Sequence, residues 1–509
     1  MFNVPIYLPM SDPPISLSWH YHERTKYDPE TIARQGNDLD WDSQPDPFKT
    51  YKLGKTIDLA AELRSPSSDR LGRLSRLLRL TYGLTAKIRT LSAPMFLRTA
   101  PSAGGLYPAE VYLVSRGLPE LTAGLYHYQP QPHSLLRFWD GDVWGELQKS
   151  TFWHPALEDT QLAIVVTAIF WRSAWRYRDR AYRRINLDIG HLLGNIELAS
   201  SVHDYRAHFI GGFADTNADA LLYLDPDVEG TMAIVPLADL NDIQQHISPG
   251  PSALASDTQT DYRDIPDGQL LAALHQATQI DTDTDALQPN SEAAVEDKYN
   301  FPFCSKIGTS SRPIDWGENL SGLEIAILKR RSTRAYSGAS LSLAELNFLL
   351  DFTYQPQHYV EQGLDNAPDY FDLSLVETFI AVSAVEGLDD GCYYYAPYSQ
   401  ELRQVRFKNF RRELHFLCLG QDLGRDAAAV VFHTADLAKA GEKWGDRAYR
   451  YLHLDAGHLG QRLNLAAMRL ELGASGIGGF FDNYVNQVLG IPDDEAVLYA
   501  TTLGRPRSY

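Results

Sequence analysis

The chain contains an internal duplication, in which the patterns of residues 124–215 recur in residues 391–482. The recurring patterns share one offset, 391 − 124 = 267, and are Gly124–Tyr128 with Gly391–Tyr395, Arg180–Arg183 with Arg447–Arg450, Leu187–His191 with Leu454–His458, and Gly211–Asp215 with Gly478–Asp482. An offset that stays constant over this distance predicts one fold used twice. Two copies are too few for a solenoid, which needs at least three stacked units.

The composition changes between the copies, where Asp, Thr, Ser, Gln and Pro dominate. We interpret residues 248–298 as a solvated, acidic linker with one short amphipathic segment at 268–277. The first domain is then 1–247 and the second 299–509. A linker of this length lets the domains pack as a pseudo-dimer within one chain, so we expect that a single chain is sufficient as a monomer.

Each copy mixes strands and helices. Segments rich in β-branched and other apolar residues predict strands at 110–114, 162–166, 377–382 and 428–432. A long helix is predicted to begin near Arg180 and another near Arg447. Leucines and alanines at three- and four-residue steps give the second helix one apolar face, and Gly473 is expected to end it. Because strands and helices do not alternate regularly, we predict an α+β fold rather than a doubly wound sheet.

Composition and charge restrict the function. The formal net charge of −19 argues against nucleic-acid partners, because phosphate backbones require basic surfaces. No apolar run has the length of a membrane span, and the N-terminus lacks the pattern of a signal peptide. The three cysteines, Cys304, Cys392 and Cys418, are too scattered for a disulfide framework or a zinc site. We therefore expect a cytoplasmic protein with no membrane partner and no metal.

The second copy contains a basic segment, Arg330-Arg-Ser-Thr-Arg334, followed by a predicted helix from about Ser342. Three guanidinium groups and one hydroxyl are the charge-assisted donors that a phosphate accepts. A short basic cluster can equally be a solvated surface. The acidic composition of the chain and the position near a helix entrance favour an anion site.

The first copy contains a small-residue segment, Pro101-Ser-Ala-Gly-Gly-Leu-Tyr-Pro108, which follows Arg98 and precedes a strand. Glycine and other small residues let the backbone approach a flat ligand closely, and Ser102 adds a hydroxyl. The alternative is an ordinary Gly/Pro turn. The segment has neither the Walker A spacing nor the Rossmann glycine fingerprint.

Taken together, these motifs resemble the nitroreductase-like FMN flavoproteins, and among them the SagB-type dehydrogenases. The motifs are His20–Lys26, Leu77–Gly83, Arg98–Pro108, Gly124–Tyr128, Leu187–His191, Arg330–Tyr336, Gly478–Phe480 and Leu503–Pro506. The resemblance implies two tandem domains, each a mixed or antiparallel sheet flanked by helices with a long central helix. It also implies FMN at the interface and hydride transfer between flavin N5 and a small-molecule or peptide-derived substrate.

The resemblance assigns roles to individual residues. Arg330, Ser332 and Arg334 would hold the FMN phosphate and ribityl chain, with Arg505 adding charge at the phosphate. Gly478 and Gly479 would offer N–H groups to the N5/O4 edge. The loop over the flavin ring would come from the other copy, through Pro101, Ser102, Ala103 and Gly105.

The two copies differ at these motifs. An ungapped alignment that matches Leu77 with Leu349 has an offset of 349 − 77 = 272 and places Asp58, Ala60 and Glu62 opposite Arg330, Ser332 and Arg334. Matching Pro226 with Pro492 gives an offset of 492 − 226 = 266, which places Asp239 opposite Arg505. Opposite the Pro-Ser loop, Pro368-Asp-Tyr-Phe-Asp-Leu-Ser-Leu375 lacks the Ser and both glycines. We therefore predict one composite site and one FMN per chain.

The SagB-type pattern includes a Lys-Tyr pair that serves deprotonation, and here its place is taken by Arg176-Tyr177 and Lys443-Trp444. Tyr177 is the candidate catalytic residue, although arginine is a poor proton acceptor. The expected function is an FMN-dependent oxidoreductase with NAD(P)H as a transient electron donor. The alternatives are a SagB-like azoline dehydrogenase and a flavin-binding or scaffold protein without turnover.

Overall fold

The structure is a computed structural model that describes residues 15–34, 39–64, 68–89, 94–281, 296–302 and 304–507. The helices of the first copy and the linker are α1 (Leu17–Arg24), α2 (Pro29–Arg34), α3 (Ala60–Arg64), α4 (Arg70–Tyr82), α5 (Trp144–Ser150), α6 (Phe170–Tyr177), α7 (Ala181–Val202), α8 (Asp215–Leu221) and α9 (Leu270–Ala277). Its strands are β1 (Lys55–Asp58), β2 (Leu84–Ile88), β3 (Met95–Arg98), β4 (Ala109–Ser115), β5 (Gly124–Gln129), β6 (Ser134–Asp140), β7 (Leu162–Ile169), β8 (Tyr205–Ala207) and β9 (Glu229–Asp239).

The second copy repeats this order. Its helices are α10 (Ser321–Lys329), α11 (Leu343–Tyr354), α12 (Arg411–Leu417), α13 (Asp422–Asp426), α14 (Leu437–Trp444), α15 (Ala448–Arg469) and α16 (Asp482–Leu489). Its strands are β10 (Lys306–Gly308), β11 (Leu341–Ser342), β12 (Glu377–Val382), β13 (Val385–Glu386), β14 (Gly391–Ala396), β15 (Glu401–Phe407), β16 (Ala429–Asp436), β17 (Gly473–Ile477) and β18 (Glu495–Gly504).

Each copy has a seven-stranded antiparallel sheet, and the two sheets match strand for strand. The orders are β1-β6-β5-β4-β7-β9-β8 and β10-β15-β14-β12-β16-β18-β17. The elements β5, α6, β7, α7 and α8 each begin 267 residues before their counterparts β14, α14, β16, α15 and α16. The predicted α+β duplication is therefore confirmed, as are the two long helices at their predicted starts.

The long helices α7 and α15 cross at glycines in the middle of the interface. A Cβ atom on Gly190 would lie 2.1 Å from the carbonyl oxygen of Leu454, and one on Gly457 would lie 2.3 Å from that of Leu187. Contact this close is possible only where neither residue carries a side chain. One continuous apolar core includes residues of both copies, so the domains fold against each other.

Two buried ion-pair clusters join the copies in a reciprocal way. Arg180 and Arg183 of α7's N-terminal end bind Asp482 of the second copy, while Arg447 and Arg450 bind Asp215 of the first. These residues belong to the duplicated Arg-Ala-Tyr-Arg and Gly-Gly-Phe-x-Asp patterns. Both patterns therefore maintain the interface, because a buried guanidinium requires an acceptor.

Two predictions made from the sequence need correction. The linker is only partly solvated: residues 257–269 are mostly exposed, whereas Ala253 and Thr278 are buried, and Thr278 accepts hydrogen bonds from Arg447 and Arg450. The amphipathic segment predicted at 268–277 contains the helix α9, in which Leu274 is buried. Buried guanidinium groups need more acceptors than one carboxylate supplies, which draws this segment into the interface. Residues 282–295 of the linker lie outside the described residues.

The second correction concerns Gly473, which was expected to end the long helix of the second copy. The helix α15 already ends at Arg469, and Gly473 is the first residue of β17. A Cβ atom at this position would lie 2.4 Å from the hydroxyl of Thr333, so packing against the basic segment is the reason for a glycine here. None of the helices in the described ranges is long and apolar enough to cross a membrane.

Candidate active site

A cavity of about 430 Å³ lies at the interface between the two copies. The first copy lines it from β2–β3, the Pro-Ser loop and α7; the second lines it from the basic segment and from β17 onward. The polar and glycine residues of the lining are Ser102, Gly104, Gly105, Tyr107, Arg184, Asp188, His191, Arg330, Arg331, Ser332, Arg334, Ser475, Gly476, Gly478 and Tyr499. The volume is within the usual range for cofactor sites.

The basic segment follows α10 and reaches across the interface. Arg330 is 3% exposed and donates through Nε to the carbonyl of Thr99 at 2.7 Å and through Nη2 to that of Arg98 at 3.2 Å. Burial lowers the pKa of Arg330 to about 10, and neighbouring Arg331 contributes to the shift. Arg334 is exposed and Ser332 is half-buried. The second copy thus fixes the loop of the first while it presents cationic groups to the cavity.

The Pro-Ser loop is held in place by the long helix of its own copy. Asp188 accepts hydrogen bonds from the Ser102 hydroxyl at 2.6 Å and from the Ala103 N–H at 3.0 Å. The Ser102 Oγ in turn accepts the N–H of Tyr107 at 2.8 Å. Burial raises the pKa of Asp188 to about 7, which the Ser102 hydrogen bond partly opposes. Pro101, Ser102, Ala103 and Gly105 all line the cavity.

The second copy contributes a close backbone approach. A Cβ atom on Gly476 would lie 1.7 Å from the Tyr499 hydroxyl, so no other residue fits between β17 and that ring. Tyr499 is hydrogen-bonded to His191 of the first copy at 2.8 Å. Gly478 lines the cavity, whereas Gly479 is not among the lining residues and lies beside the Arg184 guanidinium.

Tyr177 lies at the end of α6, next to the cavity and not in its lining. Its ring stacks on the Arg184 guanidinium, with 3.5 Å between the ring centroid and Cζ. A Cβ atom on Gly104 would lie 2.6 Å from the Tyr177 hydroxyl, so the hydroxyl faces the Pro-Ser loop. The ring is half-buried, and the preceding Arg176 is exposed.

The structure does not bring Arg505 to the cavity, in contrast to the role expected from the resemblance. Its guanidinium forms a bidentate hydrogen bond with Glu345 of α11, at 2.9 Å to each oxygen. In the first copy the corresponding positions are Asp239 and Arg73, which form the same ion pair with the charges exchanged. A pair retained with reversed charges is structural, so Arg505 ties the chain end to α11.

The ungapped comparison of the basic segment is also wrong. Asp58 ends β1, and β1 matches β10 by its place in the sheet, whereas Arg330 follows the helix α10. The counterpart of the basic segment is thus the connection between α3 and α4, of which residues 65–67 lie outside the described residues. The alignment failed because five residues separate α3 from α4, whereas thirteen residues separate α10 from α11.

Because the fold is duplicated, the interface has a second position related to the cavity by exchange of the two copies. Aromatic rings fill this pseudo-symmetric half of the interface. At positions matching Ala103, Gly104, Arg184 and His191 stand Tyr370, Phe371, Tyr451 and His458. Tyr370 stacks on His458 with 4.5 Å between ring centroids, and Phe371 stacks on Tyr451 with 5.1 Å. Phe209, in place of Gly476, packs against both Phe371 and His458. Among the described residues, these rings occupy the positions that line the cavity in the other copy.

The Asp-x-x-His pairs on α7 and α15 do not act as dyads. Asp455 accepts the N–H groups of Phe371 and Asp372, as Asp188 does for its own loop, while His458 contacts Glu197. Across the described ranges, no group of three or more His, Cys, Asp or Glu residues is arranged to hold a metal ion.

Arg184, Asp188 and Tyr499 were missed as site residues by the sequence analysis. The duplication itself carries a signal for Arg184, because the matching position holds a tyrosine although the four residues before it are identical in both copies. Asp188 gives no such signal, since it is repeated as Asp455. Tyr499 lies in a strand whose pattern predicts only burial.

The sequence and the structure of the chain are both similar to those of known proteins. The model of the Nitroreductase family matches residues 71–238 and 327–505, more than half of the chain. A crystal structure of a nitroreductase-family protein from Anabaena variabilis ATCC 29413 is 65% identical and superimposes with a TM-score of 0.92, covering 97% of this chain and 100% of that one.

Two sequence relatives match single parts of the chain. A nitroreductase-family protein of Methanocaldococcus jannaschii is 30% identical over 171 residues, which is 34% of this chain and 85% of the relative. The trifolitoxin-processing protein TfxB of Rhizobium leguminosarum bv. trifolii is 28% identical over 174 residues, 33% of this chain and 47% of that protein. The match thus spans about half the length of TfxB.

Proposed function

Since the chain belongs to the nitroreductase family, we propose that it is an FMN-dependent oxidoreductase with one composite site per chain. FMN would supply hydride transfer at N5 to or from a substrate bound beside it. The observation that carries the proposal is the charge of the cavity. Arg330, Arg331 and Arg334 of the second copy line it together, and Asp188 is the single carboxyl among its described lining residues.

The lining residues fit FMN in both charge and shape. In a chain with a net charge of −19, a concentration of guanidinium groups at one cavity favours an anionic ligand such as a phosphate. Arg330, Ser332 and Arg334 would bind the phosphate end. The small residues Ala103, Gly105, Gly476 and Gly478 would let the backbone approach a flat ring system.

Each copy has a different task in this proposal. The second copy would bind the phosphate and offer the N–H groups of Gly478 and Gly479. The first copy would cover the ring with the loop that Asp188 holds, and would carry Tyr177 beside it. The aromatic filling of the pseudo-symmetric half supports a single site. NADH or NADPH would dock transiently as electron donor.

A second candidate function is that of a SagB-like dehydrogenase that acts on a peptide-derived heterocycle. For both candidate functions the proposed location is the cytoplasm. The similarity to TfxB and the Tyr177 hydroxyl near the Pro-Ser loop favour it. The absence of a lysine before Tyr177 weighs against deprotonation in the SagB manner, because Arg176 stays charged. The third reading is a flavin-binding protein without turnover.

Flavin loading and reduction test the proposal. Purified protein is saturated with FMN, desalted and mixed without oxygen with NADH or NADPH while the flavin band is followed. We expect retained FMN and bleaching by at least one nicotinamide. Retention without bleaching by either would favour the second or third reading, and no retention would contradict flavin binding altogether.

A charge-reversal pair tests the phosphate assignment. Arg334→Glu should abolish FMN retention, because it places a carboxylate at the proposed phosphate site. Arg64→Glu is the matched control, since Arg64 ends α3 in the first copy, is 68% exposed and pairs only with Asp58 among the described residues. It should retain FMN. If both variants keep FMN, the phosphate is bound elsewhere.

A further inference from the structure

The Arg184 side chain is buried and forms no direct ion pair with any residue that the structure describes. The residue is 9% exposed and lines the cavity, yet its Nε has no hydrogen-bond partner, and no described residue forms an ion pair with its guanidinium. The carboxyl nearest along the helix, Asp188, lies one turn further on and is engaged by Ser102 and Ala103. The charge of Arg184 is therefore available to a ligand.

The surroundings of Arg184 orient it but do not neutralise it. One face of the guanidinium stacks on the Tyr177 ring. On another side, the Arg184 side chain lies beside two glycines. Its Cγ is 3.6 Å from the position that a Cβ atom on Gly478 would take, and its Nη2 is 3.3 Å from the corresponding position on Gly479. A cation–π contact recovers only part of the hydration that a buried guanidinium loses. A fixed, desolvated and unpaired guanidinium is a prepared anion site.

The duplicated fold shows that this cation is not needed for packing. The matching residue of the second copy is Tyr451, whose hydroxyl is hydrogen-bonded to the carbonyls of Gly211 and Leu254. That position, in the half filled by aromatic rings, is fully satisfied by a neutral side chain. The arginine is thus found where the cavity of the candidate site lies and is replaced by tyrosine where aromatic rings fill the matching positions.

We infer that Arg184 binds a carboxylate of the substrate, so that the substrate class is a carboxylate-bearing molecule. This inference rests on the proposed function. A planar guanidinium binds a carboxylate through two parallel hydrogen bonds, which fixes orientation as well as charge. Because the phosphate-binding arginines belong to the other copy, Arg184 is separate in sequence and in element from the group proposed for FMN.

Benzoate and benzamide are suitable probes, since they have nearly the same shape and differ in charge. Each is titrated into the FMN-loaded chain while the perturbation of the flavin absorbance band is recorded. We expect benzoate to bind and benzamide to bind at least about tenfold more weakly, as expected from the loss of one charge-assisted hydrogen-bonded pair. Equal affinity for the two probes, or no perturbation by benzoate, would overturn the inference.

Variants separate the substrate role from a flavin role. Arg184→Gln should retain FMN, lose about tenfold or more in benzoate affinity and leave benzamide unchanged, while Arg184→Lys should restore part of the benzoate affinity. Arg178→Gln removes an exposed positive charge six residues away and should leave benzoate binding unchanged. Unchanged benzoate affinity in Arg184→Gln, or loss of FMN from it, would overturn the assignment. Failure of the unmodified chain to hold FMN would overturn the proposed function and this inference together, whereas FMN-loaded protein that ignores benzoate overturns only the inference.

Discussion

Gly190 of α7 and Gly457 of α15 meet where the two long helices cross, and neither position has room for a Cβ atom. A Cβ atom on either would lie 2.1 or 2.3 Å from a backbone carbonyl of the opposite helix. The duplicated Leu-Asp-x-Gly-His pattern is thus explained in part by this crossing. The same crossing sets the distance between the copies, and the cavity lies at that interface.

The first prediction concerns this crossing. Gly190→Ala should lower the free energy of unfolding by about 2–3 kcal/mol, because backbone atoms cannot move aside as a flexible side chain can. Denaturant unfolding measures the change. Gly441→Ala is the matched control: it lies within α14 with no atom within 4 Å of the added Cβ, so alanine should be neutral or slightly stabilising there. Equal loss in both variants would contradict the account of the crossing.

The second prediction compares the two loop-holding aspartates. Asp188→Asn should weaken FMN binding about tenfold, because a neutral amide oxygen accepts weaker hydrogen bonds from Ser102 and Ala103 than a carboxylate does. Asp455→Asn removes the corresponding contact at the filled half and should change FMN affinity by less than about twofold. Titration followed by flavin fluorescence measures both. Similar effects of the two substitutions would argue against a single composite site.

The third prediction is a pH dependence caused by the same carboxyl. Burial raises the pKa of Asp188 to about 7, so in the flavin-free protein the folded state binds more protons than the unfolded state between the ordinary carboxyl pKa and that value. This contribution stabilises the fold at low pH and is lost as the pH rises through about 7. The wild-type chain should therefore lose about 2 kcal/mol relative to Asp188→Asn between about pH 5.5 and 8.5.

Unfolding of both proteins across this range measures the difference, in which the other titrating groups cancel because both chains share them. A constant difference would mean that the carboxyl is ionised throughout. A folded-state pKa at or below the ordinary carboxyl value would also give a constant difference in this range, so only a difference that falls with rising pH agrees with the raised pKa.

Much of the fold could be predicted from the sequence because the two copies can be compared with each other. The constant offset gave the duplication, and the starts of α7 and α15 followed from patterns present in both copies. The offset failed where the copies differ in length, in the connections α3–α4 and α10–α11, and there it placed Asp58 opposite Arg330. Gly473 was misplaced because its packing against Thr333 depends on a contact distant in sequence.

Only the parts of the candidate site that belong to recognisable sequence motifs could be predicted. The Pro-Ser loop and the basic segment both line the cavity, whereas Arg505, assigned by resemblance, pairs with Glu345. The duplication marks Arg184 as a position where the copies differ, but the sequence does not show that its side chain has no ion-pair partner. An arginine becomes a candidate anion site only when the structure shows that it is buried and that no carboxylate reaches it.

The ratio of FMN to polypeptide is the most direct test of the central claim. The chain is reconstituted with excess FMN and freed of unbound flavin, and the flavin absorbance after denaturation is compared with protein from amino-acid analysis. One composite site at the interface predicts a ratio near one. A ratio near two would mean that the aromatic-filled half also binds flavin, and a ratio near zero would mean that neither half does; either result would contradict the account.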